Sequence, residues 1–385
     1  MGRSKLMFFV LMAGWILCFV HPMNVCAQEA TDSELFDSSL LDSIDFDEID
    51  VLMEEAETIK TIDFKELVTK LISGEDIDKK WLFQSILDVA FQELTLNKNY
   101  MIQIILIAIA FAILNNFVNV FENAAVSDIS FYMVYMILLV LLMQSFLSFN
   151  TIITDALYVM LEFMRALLPA FCMTMVFSTG SITTLGFYQL TLFIIYIIEW
   201  LMIYIVVPMI HIYVMLELMN HLTKEDLISR MTELLKSGVE WVLKVLFTLV
   251  VGINVVQGLL SPVIDSFKTT MFAKTANILP GIGTSLHAVS EIMVGSGIII
   301  KNGVGIAGIL VLILLCVGPM IKIGVIAVLY KLVAAVIQPV ADKRISGCIS
   351  GVGEGARLMN KVMVTANVMF LVTIALVTAA TTWNR

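Results

Sequence analysis

Charged residues are scarce in this sequence. Only 15% of its 385 residues are Asp, Glu, Lys or Arg, whereas 59% are hydrophobic, and the mean hydropathy is +0.94. Soluble domains carry about a quarter charged residues, so the composition excludes a soluble globular protein and indicates an integral membrane protein. Positive charge is not in excess either, since 23 Lys and Arg stand against 33 Asp and Glu. We therefore expect no nucleic-acid partner, which would need a basic patch.

Residues that bind metals or act as nucleophiles are also few. The histidines are scattered, and the cysteines beyond the N-terminal leader are odd in number and lie in or beside apolar stretches: His21, His211, His221 and His287; Cys172, Cys316 and Cys348. Neither set has the spacing of a zinc site or a disulfide framework. No Ser/His/Asp or paired-carboxylate arrangement stands out. We predict a protein that is not an enzyme and that needs no cofactor or metal.

One glycine-rich motif, Gly351-Val-Gly353-Glu-Gly355, is superficially like a phosphate-binding loop. It follows no predicted strand and lacks the Gly-Lys-Ser/Thr ending of such loops. Because Gly355 also recurs in the internal repeat described below, the motif indicates close helix packing.

The N-terminus has the pattern of a secretory signal peptide. Arg3 and Lys5 precede an apolar run of fifteen residues, Leu6 to Val20, and small residues end the leader at Ala27. The alternative, an uncleaved membrane span, is disfavoured because the run is short for a crossing. We predict a signal peptide over residues 1–27, cleaved between Ala27 and Gln28, with the mature N-terminus outside the cytoplasm.

Acidic residues are concentrated directly after the leader. Residues 28 to 59 contain twelve Asp and Glu and no Lys or Arg. From Ile62 onward apolar residues fall at helical spacing, and a second amphipathic stretch runs from Trp81 to Leu94. We predict an acidic extracytoplasmic segment over residues 28–98 with short amphipathic helices. For residues 28–58 a solvated acidic spacer is the alternative.

Six apolar stretches are long enough to cross a bilayer, because about 20 helical residues span its ~30 Å hydrocarbon core. They are 101–121, 129–149, 185–207, 239–260, a stretch from 303 onward, and 362–382. The first two form a transmembrane hairpin over residues 99–150. The stretches 151–179 and 263–301 contain Leu-Pro and are predicted to be re-entrant or interfacial; if they cross, the total is eight. The expected fold is an all-α polytopic membrane protein.

The membrane part shows signs of an internal duplication. Pro-Met-Ile recurs at Pro208 and Pro319, 111 residues apart, and Leu-Pro recurs at Pro169 and Pro280 with the same offset. After a small insertion the register resumes, with Lys244 matching a lysine in the second copy. We predict two repeat units, residues 151–262 and 263–385. Two-span units would run parallel and three-span units would be inverted, as in many membrane proteins that build a pathway.

The duplicated prolines and the charges within apolar stretches are the candidate functional residues: Pro208, Pro319, Glu199, Lys244, Lys322 and Lys331. An ionised group at the bilayer centre costs roughly 2.5–3.5 kcal/mol on insertion scales, so such groups face a partner or water. They either line a pathway or serve as structural pairs and interface-reaching lysines. The prolines predict bent, related helices that continue as apolar extensions.

Loop charge predicts the topology. Residues 341–361 carry four Lys or Arg against two acids, which favours the cytoplasm. Six spans then place 28–98, 151–179 and 263–301 outside. Single cysteines introduced at Ser130, at Ser181 or Asn302, and at Ser346 test this with a membrane-impermeant thiol reagent. We expect labelling at Ser181 and Asn302 from outside and none at Ser346, whose labelling would overturn the arrangement.

The C-terminal part of the chain resembles the stage III sporulation protein AE family of endospore-forming bacteria. The resemblance rests on these residues: Lys301-Asn302, Gly305-Ile-Ala-Gly308, Pro319, Tyr330-Lys331 before Ala334-Ala335, Gln338-Pro339, and Asp342-Lys343-Arg344-Ile345-Ser346. It implies a membrane component of the multi-protein complex that links mother cell and forespore, located in the mother-cell membrane around the forespore. It also implies other membrane proteins of that complex as partners, and it supplies no catalytic residues.

Two functional hypotheses remain open from the sequence. In the first, the chain is a non-enzymatic subunit of a channel or secretion-like complex and binds other proteins of that complex. Association with further copies of itself is an additional option. In the second, it is a secondary-transporter-like carrier whose two repeats move around a small solute. A carrier should have inverted units and charges converging on a cavity, whereas a channel scaffold should have parallel or loosely related units.

Overall fold

The computed structural model describes residues 44–55, 63–73, 124–179, 183–222, 228–276, 283–339 and 342–380, with isolated positions between 41 and 113. All of them belong to one compact unit, residues 39–385. The predicted signal peptide, its cleavage site and most of the first predicted span lie outside the described residues. Within the described ranges the chain is helical and contains no strand, which confirms the all-α fold class.

Eight α-helices carry the described structure: α1 (Asp47–Glu55), α2 (Phe64–Ser73), α3 (Ala124–Thr179), α4 (Thr183–Leu201), α5 (Val207–Asn220), α6 (Ser229–Ala276), α7 (Gly283–Ile337) and α8 (Lys343–Ala380). A π-helical turn, Met202–Val206, joins α4 to α5. Five stretches are long and apolar enough to cross a membrane: Tyr135–Val176, Gln189–Asn220, Ser229–Gln257, Gly295–Ile337 and Lys343–Thr378. Each overlaps one of the last five spans predicted from the sequence.

Several helices are much longer than a bilayer crossing. Helix α3 has 56 residues and α7 has 55, and a 55-residue helix is ~82 Å long. The sequence places a boundary at residue 150, but α3 continues through it, because Phe149 and Ile153 keep the buried face at helical spacing. Likewise α6 runs across the predicted unit boundary at 262. The predicted hairpin and repeat units therefore share continuous helices.

The two matching prolines, Pro208 and Pro319, both lie within apolar helical segments. Pro319 is inside α7, and the apolar extension beyond it runs to Ile337 without a break. Pro208 is the second residue of α5 and directly follows the π-turn, where the Val207 N–H bonds to the Met202 carbonyl. A π-turn adjusts the backbone ladder next to a residue that has no N–H.

The internal duplication itself stays a prediction. At the 111-residue offset, Pro169 lies inside α3, whereas Pro280 falls in residues 277–282, which the structure does not describe.

The short helix α2 is anchored on α7. Its N-terminus is capped by Asp63, whose Oδ1 accepts hydrogen bonds from the backbone N–H groups of Lys65 and Glu66, at 2.8 and 3.4 Å. Its apolar face buries Phe64 and Val68. A Cβ atom at Gly303 of α7 would lie 2.8 Å from Ile72, so a glycine is needed for this approach. The amphipathic pattern from Ile62 onward thus forms a helix that packs on a membrane helix.

A candidate functional site at the polar end of the helix bundle

Helix α5 packs against α8 through a row of glycines. Added Cβ atoms at Gly347 and Gly351 would each lie 2.6 Å from α5 side chains, those of His221 and Glu217, and one at Gly355 would clash with Val214. The row advances by four residues along α8, which keeps it on one helix face. Because the α5 partners come in the reverse order, α5 and α8 run antiparallel.

Gly353 lies on the other side of α8, against α7. A Cβ there would meet the Tyr330 Cβ at 3.0 Å and the Ala327 carbonyl oxygen at 3.3 Å. The motif Gly351-Val-Gly353-Glu-Gly355 thus lets α8 approach helices on two sides, which confirms the helix-packing interpretation of Gly355.

Helices α7 and α8 also run antiparallel. The Ser346 hydroxyl donates a hydrogen bond to the Ala334 carbonyl at 3.1 Å, and further along the pair Gly324 of α7 lies beside Asn360 of α8. Since α5 and α7 are both antiparallel to α8, the segments that follow Pro208 and Pro319 run in the same direction.

An ion-pair network joins three of these helices at Glu354. Its carboxylate lies 2.7 Å from the Lys236 Nζ of α6 and 3.0 Å from the Lys331 Nζ of α7, and it also pairs with Arg357 one turn along α8. The Glu354 side chain is 15% exposed, whereas the three cations are 35 to 41% exposed. One shielded carboxylate therefore holds three cationic side chains that keep partial contact with water.

Two further contacts show that α6 and α8 lie side by side and parallel. Lys361 of α8 pairs with Glu240 of α6 at 3.1 Å, and the Asn254 Nδ2 donates to the Thr373 Oγ1 at 3.1 Å. Contacts thus advance in the same direction along both helices, starting from Glu354 and Lys236. The polar blocks at the starts of α6 and α8 therefore meet at one end of the bundle, here called the polar end.

Backbone groups at the polar end are satisfied by side chains from other elements. The last carbonyls of a helix have no partner within it, and near the end of α5 the Tyr135 hydroxyl of α3 donates to the Leu218 carbonyl. The Asn220 Oδ1 accepts from the Ile228 N–H at 3.1 Å, which closes the turn into α6. A further hydrogen bond joins two side chains: the Tyr330 hydroxyl of α7 donates to the Ser145 Oγ of α3 at 2.5 Å.

A groove of about 590 Å³ opens at the polar end between the last turns of α7 and the first turns of α8. It is lined by Lys331, Ala334, Ala335, Gln338, Lys343, Ser346, Gly347, Ser350 and Glu354. Its lining combines small residues with two lysines and the Glu354 carboxylate.

Two of the sequence-predicted site residues, Lys331 and Glu199, pair with residues of opposite charge. Lys331 joins the Glu354 network. Glu199 is largely buried and pairs at 3.5 Å with Arg165 of α3, a residue of the same predicted unit and not a lysine of the other one. Lys244 is exposed and Lys322 half-buried. Pro208 is exposed and Pro319 half-buried.

Sequence reasoning missed the centre of the network, Glu354. The available signal was its spacing from Arg357, since residues three apart are neighbours on a helix surface. Lys236 could not be found in this way, because it comes from another helix 118 residues earlier. Among the described residues, no group of three or more His, Cys, Asp or Glu could hold a metal ion. The chemistry that the polar end supports is charge pairing and close helix packing.

Comparison with known proteins identifies relatives of this chain. Residues 62–381 match the family Stage III sporulation protein AE (spore_III_AE). The chain is also similar to Stage III sporulation protein AE of Bacillus subtilis (strain 168), with 26% identity over 304 residues that cover 78% of this chain and 76% of the relative. No solved structure matches.

Proposed function

The chain belongs to the stage III sporulation protein AE family, and from that premise we propose that it is a non-enzymatic subunit of a membrane complex that connects mother cell and forespore. It would reside in the mother-cell membrane around the forespore and act as a scaffold of a channel or secretion-like conduit. Membership of this family implies a role in sporulation, and the long apolar helices indicate that the chain is a membrane protein.

The direction of the helices is the observation that most supports a scaffold. The segments after Pro208 and Pro319 run the same way, and α6 and α8 lie parallel in contact. A carrier built from inverted repeats would place corresponding helices in opposite directions. Parallel corresponding helices therefore favour the channel-subunit hypothesis over the carrier hypothesis.

The ion pairs of Glu354 support the same function. Glu354 is held by three cations from three helices, so its contacts tie helices together. A carboxylate that binds a transported cation or relays protons would need to exchange partners, at a cost that rises with each ion pair broken. The network at the polar end is thus suited to holding the bundle in one arrangement.

Partner proteins would meet the chain on its exposed apolar helix faces. On α3 these include Met133, Met136 and Val140, and on α6 they include Trp241 and Leu249. In a membrane such faces contact either lipid tails or helices of neighbouring subunits. We propose that other membrane proteins of the sporulation complex, or further copies of this chain, cover part of them.

Gene deletion in an endospore-forming host that carries this chain tests the proposal. We expect sporulation to stop after engulfment, with a loss of heat-resistant spores of several orders of magnitude, and rescue by a wild-type copy at a second locus. A tagged chain should co-purify from sporulating cells with other membrane proteins made at the same stage. Normal spore counts in the deletion strain, or a tagged chain that purifies without any such protein, would reject this function.

A further inference from the structure

The groove between α7 and α8 carries more positive than negative charge. Lys331 and Lys343 line it together with Glu354. The Glu354 carboxylate is already shared with Lys236 and Arg357, which pair with it in addition to Lys331. Within the described part of the chain, no carboxylate pairs with Lys343, which is exposed. The lining of the groove therefore carries a net positive charge.

The position of Lys343 at the start of a helix adds to this positive charge. It is the first residue of α8, and Arg344 follows it. A helix N-terminus carries a positive partial charge, so cationic side chains in the first turn are unfavourable unless an anion lies beside them. Asp342 offsets this in part, because it accepts from the Arg344 backbone N–H at 2.9 Å and pairs with its guanidinium at 3.2 Å. An anion bound beside Lys343 would complete this compensation.

An apolar stripe on α7 runs next to the groove. Val328, Leu332 and Val336 are 64%, 54% and 56% exposed and follow one another at four-residue spacing. Val328 and Leu332 lie three positions before Lys331 and Ala335, which line the groove, and residues three apart are neighbours on a helix surface. The surface therefore offers lysines for an anionic group and, beside them, an apolar track parallel to a membrane helix.

We propose that this groove binds the phosphate-bearing headgroup of an anionic phospholipid, with the acyl chains along Val328, Leu332 and Val336. Lys331 and Lys343 contact the headgroup phosphate, and the Ser350 hydroxyl adds a hydrogen-bond donor. A phospholipid matches both parts of the surface, since it joins a negative headgroup to apolar chains of membrane length. Inorganic phosphate would satisfy the lysines alone and leave the stripe uncovered.

The experiment uses the purified full-length protein in a neutral detergent. Binding of fluorescently labelled phosphatidylglycerol is measured for the wild type, for Lys343→Gln and for Lys361→Gln. The last variant removes a lysine from the same helix outside the groove. We expect Lys343→Gln to weaken binding about fivefold, the effect of one lysine near an anionic surface, and Lys361→Gln to change it less than twofold. Labelled phosphatidylcholine should bind weakly to all three.

A stability measurement keeps the result independent of folding defects. Without lipid, Lys343→Gln should unfold at the same temperature as the wild type or above it, because a cation has been removed from a helix N-terminus. Added phosphatidylglycerol should stabilise the wild type more than the variant. Equal lipid binding by wild type and Lys343→Gln would overturn the proposal. Full competition by millimolar inorganic phosphate would overturn the lipid assignment.

Discussion

Replacing Gly355 with alanine is expected to destabilise the helix bundle by about 1–3 kcal/mol, the range for overpacking a filled interior. The new methyl group would clash with Val214 of α5 and lie 3.2 Å from the Phe146 ring of α3. Val214 is fully buried and cannot swing aside, so α5 or α3 must move. The midpoint of thermal unfolding in detergent and the amount of membrane-inserted protein measure the effect, and both should fall.

Gly252→Ala is the matched control for this substitution. Gly252 lies within α6, and nothing lies within 4 Å of an added Cβ atom. Alanine in a helix interior is favoured over glycine by roughly 0.5–1 kcal/mol, so this variant should be neutral or slightly more stable. If Gly355→Ala were as stable as Gly252→Ala, the close contact between α5 and α8 would be wrong.

Replacing Glu354 with glutamine is expected to cost about 1–2 kcal/mol, between the values for exposed ion pairs and for breaking a buried one. The substitution keeps the shape of the side chain but leaves Lys236, Lys331 and Arg357 without their shared carboxylate. The three cations then repel one another at the contact of α6, α7 and α8. Their partial exposure to water keeps the loss from being larger. Thermal unfolding of the purified protein again reports the change.

Two companion variants separate the network from a general loss of charge. Glu233→Gln removes an exposed carboxylate on α6, one turn before Lys236, and should change stability by less than about 0.5 kcal/mol. Lys236→Gln combined with Glu354→Gln should be less destabilising than the sum of the single changes, because the two residues share one interaction. Additive effects would mean that Glu354 and Lys236 do not interact in the folded protein.

The helical fold could be predicted because it depends on composition and local pattern. Long apolar runs, few charges and little proline permit only helices with internally satisfied backbones in a membrane. The pattern from Ile62 likewise predicted α2. Helix ends were predicted less well: α3 continues through residue 150, which has no strong stop signal, and α6 continues through Pro262, although a proline favours a helix end or a kink. Continuation of α3 depends on buried residues such as Phe149 and Ile153.

The candidate site could be predicted only in part. Lys331 and the role of Gly355 were accessible, because a charge in an apolar stretch and a glycine in a helix each imply a contact. Glu199 was expected either to line a pathway or to form a structural pair, and it pairs with Arg165 of the preceding helix. A charged residue within an apolar stretch indicates that the residue has a partner, but it does not identify that partner.

The sequence by itself determined the class of this protein, its family and the residues that need partners, since each of these depends on composition, on local motifs or on the cost of burying charge. Only the tertiary structure decided that Lys236, Lys331 and Arg357 share one carboxylate and that α5 and α7 run in the same direction. It also decided that α5 packs against Gly347, Gly351 and Gly355. The physical reason is that the contact of Glu354 with Lys236 and the contacts of the α8 glycines with α5 join residues more than a hundred positions apart. Their distances depend on how long helices pack, and helical periodicity sets only which residues share a face.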